Sequence, residues 1–180
     1  PLAGVELKIT DPETGATLED GTIGQIEVRG PNVFVGYWNM PEKTSEELRE
    51  NGFFITGDLG FIDDQGYLQI VGRNKDLIIA GGYNIYPKEI ELILDDQLGV
   101  LESAVIGVPH ADFGESVVGI LVPDNSGLLD LEKITESVAA SLAKFKQPRK
   151  LVVVDALPRN AMGKVQKNIL RETYGSSVST

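Results

Sequence analysis

Two residue types that often build catalytic and metal sites are scarce in this 180-residue chain: it has no cysteine and a single histidine, His110. The absence of thiols excludes disulfides and thiolate-ligated metal sites. A single imidazole argues against a zinc enzyme or a Ser-His-Asp triad within the chain. We therefore expect no metal site here. We interpret His110, which lies in residues 107–115, as a structural residue.

Long apolar runs are also missing. The longest candidates, residues 77–80 and 151–154, are far shorter than the roughly 18 residues that cross a bilayer. The opening residues, PLAG, lack the basic start and apolar stretch of a secretory signal. The chain has no initiator Met and enters a strand-like run at once. We therefore expect a piece of a longer, cytoplasmic protein.

Basic residues are outnumbered, 16 against 27 acidic ones, which gives a net charge of −11. That charge argues against binding to nucleic acid or to acidic membranes. Half of the basic residues nevertheless lie between Lys144 and Arg171, where Asp155 is the one acid. Such a local positive surface suits a phosphate-rich small ligand, although a solvated basic face gives the same pattern.

Residues 1–73 have the pattern of a β-rich segment. The turn signals DPETG at 11–15 and DDQG at 63–66 separate runs with alternating apolar residues. Pro41 at a first helical position predicts one short charged helix. We interpret Tyr37 and Trp38 as packing residues and not as ligand contacts. The predicted strands cover residues 5–9, 25–29, 53–62 and 67–72, and the predicted helix covers residues 42–50.

From about Asp76 onward, strand and helix patterns alternate, which is typical of a small α+β domain. A strand at 77–80 leads into a sharp turn at 81–84 and then into a helix that begins at Pro87. Further strands are predicted at 104–108, 117–122 and 151–154, and further helices at 129–145 and 164–174. The predicted fold class is therefore α+β, with a β-rich part followed by a small α+β part.

Four ordered segments carry the chemistry. They are residues 52–58 (GFFITGD), 66–73 (GYLQIVGR), 76–91 (DLIIAGGYNIYPKEIE) and 157–167 (LPRNAMGKVQK). Together they resemble the later motifs of the adenylate-forming superfamily, which includes acyl-CoA synthetases, peptide-synthetase adenylation domains and beetle luciferases. The resemblance covers nearly the whole chain.

The resemblance implies that Asp58 accepts hydrogen bonds from the ribose hydroxyls of ATP and that Arg73 contacts the same nucleotide. A carboxylate is an acceptor that holds two neighbouring hydroxyls at once, and a guanidinium offers several fixed donors. Each residue alone also fits a plainer interpretation: Asp58 as a turn aspartate and Arg73 as a surface ion pair.

Members of this family join a large N-terminal domain to a small mobile C-terminal domain. By this resemblance, residues 1–74 are the β-rich end of the large domain and residues 77–180 are the small α+β domain. Residues 75–76 form the hinge, with Lys75 at the family's hinge position. Charged residues that tolerate solvent suit a hinge, because φ and ψ change there without a packing penalty.

The turn after residue 80 resembles the family loop that lines a narrow tunnel for the pantetheine arm of coenzyme A. Gly81, Gly82 and Tyr83 take this role, since backbone without Cβ atoms allows a close approach to a ligand. A plain tight turn is the alternative.

Lys164 matches the lysine that reaches the α-phosphate and the substrate carboxylate during adenylation in this family. An ammonium group there stabilises the negative charge that develops on the phosphate oxygens. A solvated lysine at the start of a helix is the alternative. The resemblance also makes Lys164 a candidate for a protein lysine acetyltransferase, because acetylation removes its charge.

The remaining expectations concern ligands. Coenzyme A phosphates have four candidate contacts, Lys146, Arg149, Lys167 and Arg171. The family's phosphate-gripping loop, its acyl pocket and its magnesium-binding glutamate are not in this chain. We therefore expect ATP, Mg²⁺, coenzyme A and a small carboxylate to need the rest of the N-terminal domain, and we expect the chain alone to be inactive.

The segments 53–58, 108–115 and 164–174 are similar to bacterial malonyl-CoA synthetases, and LAKFKQP at 142–148 is typical of acyl-CoA synthetases in general. Malonate or methylmalonate is the predicted acid, with a medium-chain or aryl carboxylate as the alternative. A non-catalytic binding module that keeps the fold is a further alternative. Such a module would be expected to have lost Lys164, Asp58 or Arg73.

Overall fold

The computed structural model describes residues 2–175 and divides into two units, with the boundary between Lys75 and Asp76. The first unit has an antiparallel sheet of four strands in the order β1-β2-β3-β4. They are β1 Glu6–Thr10, β2 Gly24–Arg29, β3 Phe54–Ile62 and β4 Leu68–Arg73. Helix α1 covers Pro41–Glu47 and begins at its proline, which needs no hydrogen-bond partner for a backbone N–H in the first turn.

The turn between β3 and β4 is organised by Asp63. Its Oδ1 accepts hydrogen bonds from the backbone N–H groups of Gln65, at 3.0 Å, and Tyr67, at 2.8 Å. Gly66 supplies the positive φ of +80° that the turn needs. The hairpin register then places Asp58 directly opposite Arg73.

Between Asp76 and Gly175, the second unit contains one mixed sheet and three α-helices. Its strands β6, β5, β8 and β7 pair in that order, and β9 runs parallel to β8. The strands are β5 Ile78–Ala80, β6 Tyr83–Ile85, β7 Val100–His110, β8 Gly114–Pro123 and β9 Lys150–Val153. The helices are α2 Pro87–Asp95, α3 Leu131–Ser141 and α4 Lys167–Tyr174.

Helices cover both faces of this second sheet. Successive strand residues point to opposite faces, so Val105 packs in one apolar cluster with Leu94 of α2 and Val138 of α3. Ile106 belongs to the other cluster, together with Leu170 of α4. The chain thus has the predicted α+β fold class, and in the second unit both faces of the sheet are buried.

Three predicted helices extend beyond the observed ones. The predicted helix 42–50 ends as α1 at Glu47. The predicted helix 129–145 ends as α3 at Ser141, and Leu142 is already extended. The predicted helix 164–174 begins only at Lys167, so Lys164 does not start a helix. Val165 instead forms a bridge with Arg159, which keeps the preceding residues in an extended turn.

Other boundaries differ in the opposite direction. Residues 83–85 form strand β6, where the sequence predicted a turn. Strands β7 and β8 form a longer hairpin than predicted and leave only residues 111–113 between them. Pro109 fits within β7 because β7 is the edge strand of the sheet, where one side needs no N–H donor.

The interpretation of Trp38 as a packing residue is wrong for the described part of the chain. Trp38 is 89% exposed, so it takes no part in the core of the described residues. Tyr37, in contrast, contacts the Phe34 ring edge-on at 4.9 Å and donates a hydrogen bond to Glu47.

No helix within residues 2–175 has the length and apolar character needed to pass through a membrane. The same residues contain no group of three or more His, Cys, Asp or Glu side chains arranged to hold a metal ion.

Candidate functional site

Asp58 and Arg73 meet across the β3–β4 ladder. Arg73 Nε donates a hydrogen bond to Asp58 Oδ1 at 2.8 Å, and its Nη2 donates to the carbonyl of Thr56 at 3.3 Å. Gly57, with φ +75°, turns the backbone just before Asp58. The Asp58 side chain stays 33% exposed and the Arg73 side chain 48% exposed. The pair therefore offers acceptor and donor groups side by side at an open position.

A turn anchored on Asn160 presents Lys164. Asn160 Oδ1 accepts hydrogen bonds from the backbone N–H groups of Met162 and Lys164, both at 3.0 Å. Its own N–H donates to the Lys164 carbonyl at 3.0 Å, and Gly163 takes a φ of +77° to close the turn. The backbone on both sides of Lys164 is therefore fixed by local bonds.

The Lys164 side chain itself is exposed and makes no hydrogen bond or ion pair with any residue of the described part of the chain. Its neighbour Arg159 is held by an ion pair with Glu102 and by a hydrogen bond to the Gly163 carbonyl at 2.6 Å. The turn thus combines a fixed backbone with an unpaired ammonium, which suits a group that meets an anion from outside the unit.

The glycine loop connects β5 to β6. Gly81 and Gly82 both have positive φ, +59° and +82°, and the Gly81 N–H donates to the Phe113 carbonyl at 2.8 Å. A Cβ built on Gly82 would meet no atom within 4 Å, so this side of the loop is open. Tyr83 follows and stacks on Phe145 with ring centroids 4.4 Å apart.

A groove of about 960 Å³ lies beside this loop, and Gly81, Tyr83, Lys144, Phe145 and Arg149 contribute to its wall. Aromatic faces and cations are therefore next to each other in one cavity. This combination suits a ligand that carries both a flat ring and phosphates.

His110 also lines the groove. Its Nδ1 accepts a hydrogen bond from the Asp112 N–H at 3.2 Å, and its Nε2 lies 3.4 Å from Arg149 Nη1. Arg149 in turn lies over the Phe113 ring, 4.5 Å from its centroid. His110 therefore orders the turn after β7 and also positions Arg149.

The four cations predicted to contact coenzyme A phosphates differ in their surroundings. Three of them are in ion pairs: Lys146 with Glu89 at 2.8 Å, Lys167 with Glu91 at 2.6 Å, and Arg171 with Asp76 at 2.8 Å. Arg149 has no acidic partner within residues 2–175. The groove geometry therefore favours Arg149 among the four.

Lys75 lies in the 3₁₀ turn Asn74–Asp76, directly before the unit boundary, and it is exposed. No partner for its side chain occurs in the part of the chain that the structure describes.

Sequence reasoning missed Phe145, Phe113 and Asn160. Phe145 is flanked by two lysines, and an aromatic residue between cations is a signal that was available. Asn160 stands four residues before Lys164, and asparagine is frequent where a side chain bonds to nearby backbone. Phe113 lies in the loop between two strands, and its sequence gives no indication of the groove.

Comparison with known proteins places this geometry in a family. Residues 89–164 match the AMP-binding enzyme C-terminal domain. The resemblance to the adenylate-forming superfamily and the α+β fold class, both predicted from the sequence, are thereby confirmed.

Individual relatives fall within the same group. ATP-bound MatB from Rhodopseudomonas palustris superposes with a TM-score of 0.91 and is 60% identical, covering 97% of this chain and 35% of that chain. Malonate–CoA ligase from Arabidopsis thaliana is 38% identical, covering 96% of this chain and 30% of that protein. Long-chain-fatty-acid–CoA ligase FadD13 from Mycobacterium tuberculosis is 42% identical, covering 89% and 32%. The chain thus spans about a third of the length of these relatives.

Proposed function

We propose that this chain is the C-terminal part of an AMP-forming acyl-CoA synthetase, an acid–thiol ligase. The observation that carries the proposal is the Lys164 ammonium, which has no partner among residues 2–175 and stands on a turn fixed by Asn160, while neighbouring Arg159 is paired. A fixed backbone and an unpaired charge are what a group needs in order to neutralise a phosphate without reorganising first.

In the first half-reaction, a carboxylate oxygen attacks the α-phosphorus of ATP, the bond to the β-phosphate oxygen breaks and pyrophosphate leaves. Lys164 stabilises the charge that spreads over the phosphate and carboxylate oxygens. Asp58 accepts hydrogen bonds from the two ribose hydroxyls, and Arg73, bonded to Asp58, donates to the same nucleotide. Mg²⁺ would be held mainly by the N-terminal region of the full-length protein and, when bound, would neutralise phosphate charge.

In the second half-reaction, the thiol of coenzyme A attacks the acyl carbonyl and AMP leaves with the bonding electrons. The open side of Gly82 lets the pantetheine arm approach the backbone, and Tyr83 borders its path. Arg149 is the favoured contact for a coenzyme A phosphate, because no acid of the described residues pairs with its guanidinium. Lys75 is the hinge residue about which the second unit turns between the two half-reactions.

Malonate or methylmalonate is the acid we propose. The similarity of segments 53–58, 108–115 and 164–174 to malonyl-CoA synthetases supports it, as does the similarity to the Arabidopsis malonate–CoA ligase. A fatty or aryl acid is the second candidate, because the mycobacterial relative is named for long-chain fatty acids. Retention of Asp58, Arg73 and Lys164 counts against a non-catalytic binding module.

Acetylation of Lys164 by a protein lysine acetyltransferase remains a prediction from the family resemblance. The exposed side chain of Lys164 supports access by a modifying enzyme. Mass spectrometry of the protein from its native cell tests it: an acetylated peptide that contains Lys164 is the expected result, and unmodified Lys164 throughout contradicts it.

The direct test of the substrate is pyrophosphate release by the full-length protein with ATP and a panel of carboxylic acids. Malonate and methylmalonate are expected to give the highest kcat/KM. Higher values with medium-chain or aryl acids would replace the proposed acid and keep the enzyme class. Absence of acid-dependent pyrophosphate release across the panel, with ATP binding retained, would favour the binding module.

A further inference from the structure

Helix α4 is fixed by its first residue to the rest of the second unit. Lys167 Nζ lies 2.6 Å from Glu91 Oε1 of α2, and both side chains are largely buried, at 17% and 10% exposure. The same Glu91 oxygen accepts a hydrogen bond from the Val105 N–H at 2.9 Å. Three elements, α4, α2 and β7, therefore share one carboxylate.

One helical turn further on, α4 bonds to the start of the unit. Arg171 Nη2 donates to Asp76 Oδ1 at 2.8 Å, across 95 residues of sequence. The Asp76 side chain is only 15% exposed and that of Arg171 31% exposed. Asp76 is the last residue of the 3₁₀ turn Asn74–Asp76 and the first residue of the second unit.

The same helix also follows the Lys164 turn. Only Val165 and Gln166 separate Lys164 from α4, and the Gln166 N–H donates to the Pro158 carbonyl at 2.8 Å. Leu170, 3% exposed, packs α4 on the sheet between its two ion pairs. Bonded contacts therefore run without a break from Asp76 through α4 to the turn that carries Lys164.

We propose that Arg171 is a positioning residue that holds Asp76 against α4. This contact confines the hinge to the residues before Asp76. Lys164 and Asp76 then move together as parts of one rigid body. We call this contact the Arg171–Asp76 clamp. It rests on the proposed function, because it assumes that the second unit swings to deliver Lys164. Without the clamp, Asp76 and Leu77 gain backbone freedom, and the same swing places Lys164 less accurately.

The clamp competes with the expectation that Arg171 contacts a coenzyme A phosphate, and the two give different kinetics. Coenzyme A takes no part in carboxylate-dependent ATP–pyrophosphate exchange. A phosphate contact therefore affects only the KM for coenzyme A, whereas a positioning residue affects exchange.

The first experiment measures exchange and the KM for coenzyme A in the full-length protein. Arg171→Gln and Asp76→Asn are each expected to lower exchange on the order of tenfold, because a small misplacement of a catalytic group is costly. The KM for coenzyme A stays within about twofold of the unmodified protein. The charge swap Asp76→Arg with Arg171→Asp is expected to recover most of the lost exchange.

Three results would overturn the clamp. Normal exchange with a raised KM for coenzyme A would make Arg171 a phosphate contact. Normal exchange with only a lower melting temperature would make the ion pair merely stabilising. A charge swap no better than the single variants would show that the pair is not responsible. Lys133→Gln, which breaks the exposed Lys133–Asp130 pair, is the matched control and should change none of these values.

The second experiment does not depend on activity and so separates the clamp from the proposed function. Hydrogen exchange is followed at the backbone amides of residues 74–78 in the unmodified protein, in Arg171→Gln and in the charge-conserving Arg171→Lys. In Arg171→Gln we expect faster hydrogen exchange that is confined to this segment, and in Arg171→Lys a smaller increase at the same amides. Both results are expected even if no acid proves to be a substrate. Unchanged exchange there, or a uniform increase over the whole second unit, would contradict the clamp.

Discussion

At the scale of single residues, the first unit encloses one carboxylate completely. Glu27 on β2 has no exposed surface and lies 2.7 Å from Arg49 Nη2 and 3.0 Å from Lys8 Nζ. Thr10 Oγ1 donates a hydrogen bond to it at 2.9 Å. Burial acts to raise the pKa of Glu27, but the bonds from Arg49, Lys8 and Thr10 outweigh it and lower the pKa below its ordinary value.

Removing this charge should destabilise the chain. Glu27→Gln leaves Lys8 and Arg49 facing a neutral amide, and we expect a loss of about 3 kcal/mol in the free energy of unfolding, the lower end for a broken buried pair because both cations are partly exposed. Urea unfolding measures it. Glu6→Gln is the control, since the Glu6–Arg29 pair is exposed and should matter much less. Similar losses in Glu27→Gln and Glu6→Gln would contradict a special stabilising role for the buried Glu27 carboxylate.

The lowered pKa also sets the direction of the pH dependence. A carboxylate whose pKa is lower in the folded state contributes stability above its unfolded pKa of about 4.3 and loses it as the pH falls through the folded value. The stability difference between unmodified protein and Glu27→Gln should therefore be constant near neutral pH and shrink under acidic conditions. A stability difference that grows as the pH falls would contradict a lowered pKa for Glu27.

Residue identities at the site could be predicted from the sequence, but their partners could not. Asp58, Arg73 and Lys164 were recognisable from short local segments. The ion pairs of Lys146 and Arg171 join positions 57 and 95 residues apart, and no local pattern encodes such contacts. From the sequence, four cations were therefore predicted alike as contacts for coenzyme A phosphates, whereas in the structure three of them are in ion pairs with acids.

At the scale of elements, the loop between β5 and β6 allows a prediction about one half-reaction. Gly82→Leu should lower thioester formation at least about tenfold, because a side chain would fill the open approach for pantetheine, and leave acid-dependent pyrophosphate exchange nearly unchanged. Separate assays of the two half-reactions in the full-length protein measure this. Equal loss in both would contradict the tunnel.

Gly127→Leu is the matched control for backbone strain. Gly127 has a φ of +71°, close to that of Gly82, and its Cβ position is equally free of neighbours. Both substitutions force a side chain into the left-handed region at a similar cost of about 1–2 kcal/mol. If Gly127→Leu also lost thioester formation, strain and not obstruction would explain the effect of Gly82→Leu.

Elements that are bounded by a clear turn sequence were predicted to within one or two residues. Strand Leu68–Arg73, which follows the Asp-Asp-Gln-Gly turn, is an example. Local signals misled where pairing decided the outcome. Residues 83–85 form β6 because Ile85 pairs with Ile78 and is fully buried, despite the glycines before them. The start of α4 was placed too early because Val165 continues the apolar spacing of the helix, although its bridge to Arg159 holds it outside.

At the scale of the whole molecule, the exposed aromatic side chain of Trp38 cannot be explained by this chain. The chain spans about a third of the length of its relatives, and the family resemblance predicts that the acyl pocket lies outside this third. The proposal of malonate therefore rests on sequence similarity, whereas the proposed role of Lys164 rests on the geometry of this chain.

Above all, we propose that the Lys164 ammonium neutralises phosphate while the acyl adenylate forms. The most direct measurement is ATP–pyrophosphate exchange by full-length protein and its Lys164→Ala variant, with thioester formation from supplied acyl adenylate assayed in parallel. We expect exchange to fall by about 10²–10³-fold or more in Lys164→Ala, as for a lost oxyanion contact, while thioester formation persists. The control variant Lys133→Ala should retain both activities. Near-normal exchange in Lys164→Ala would contradict it.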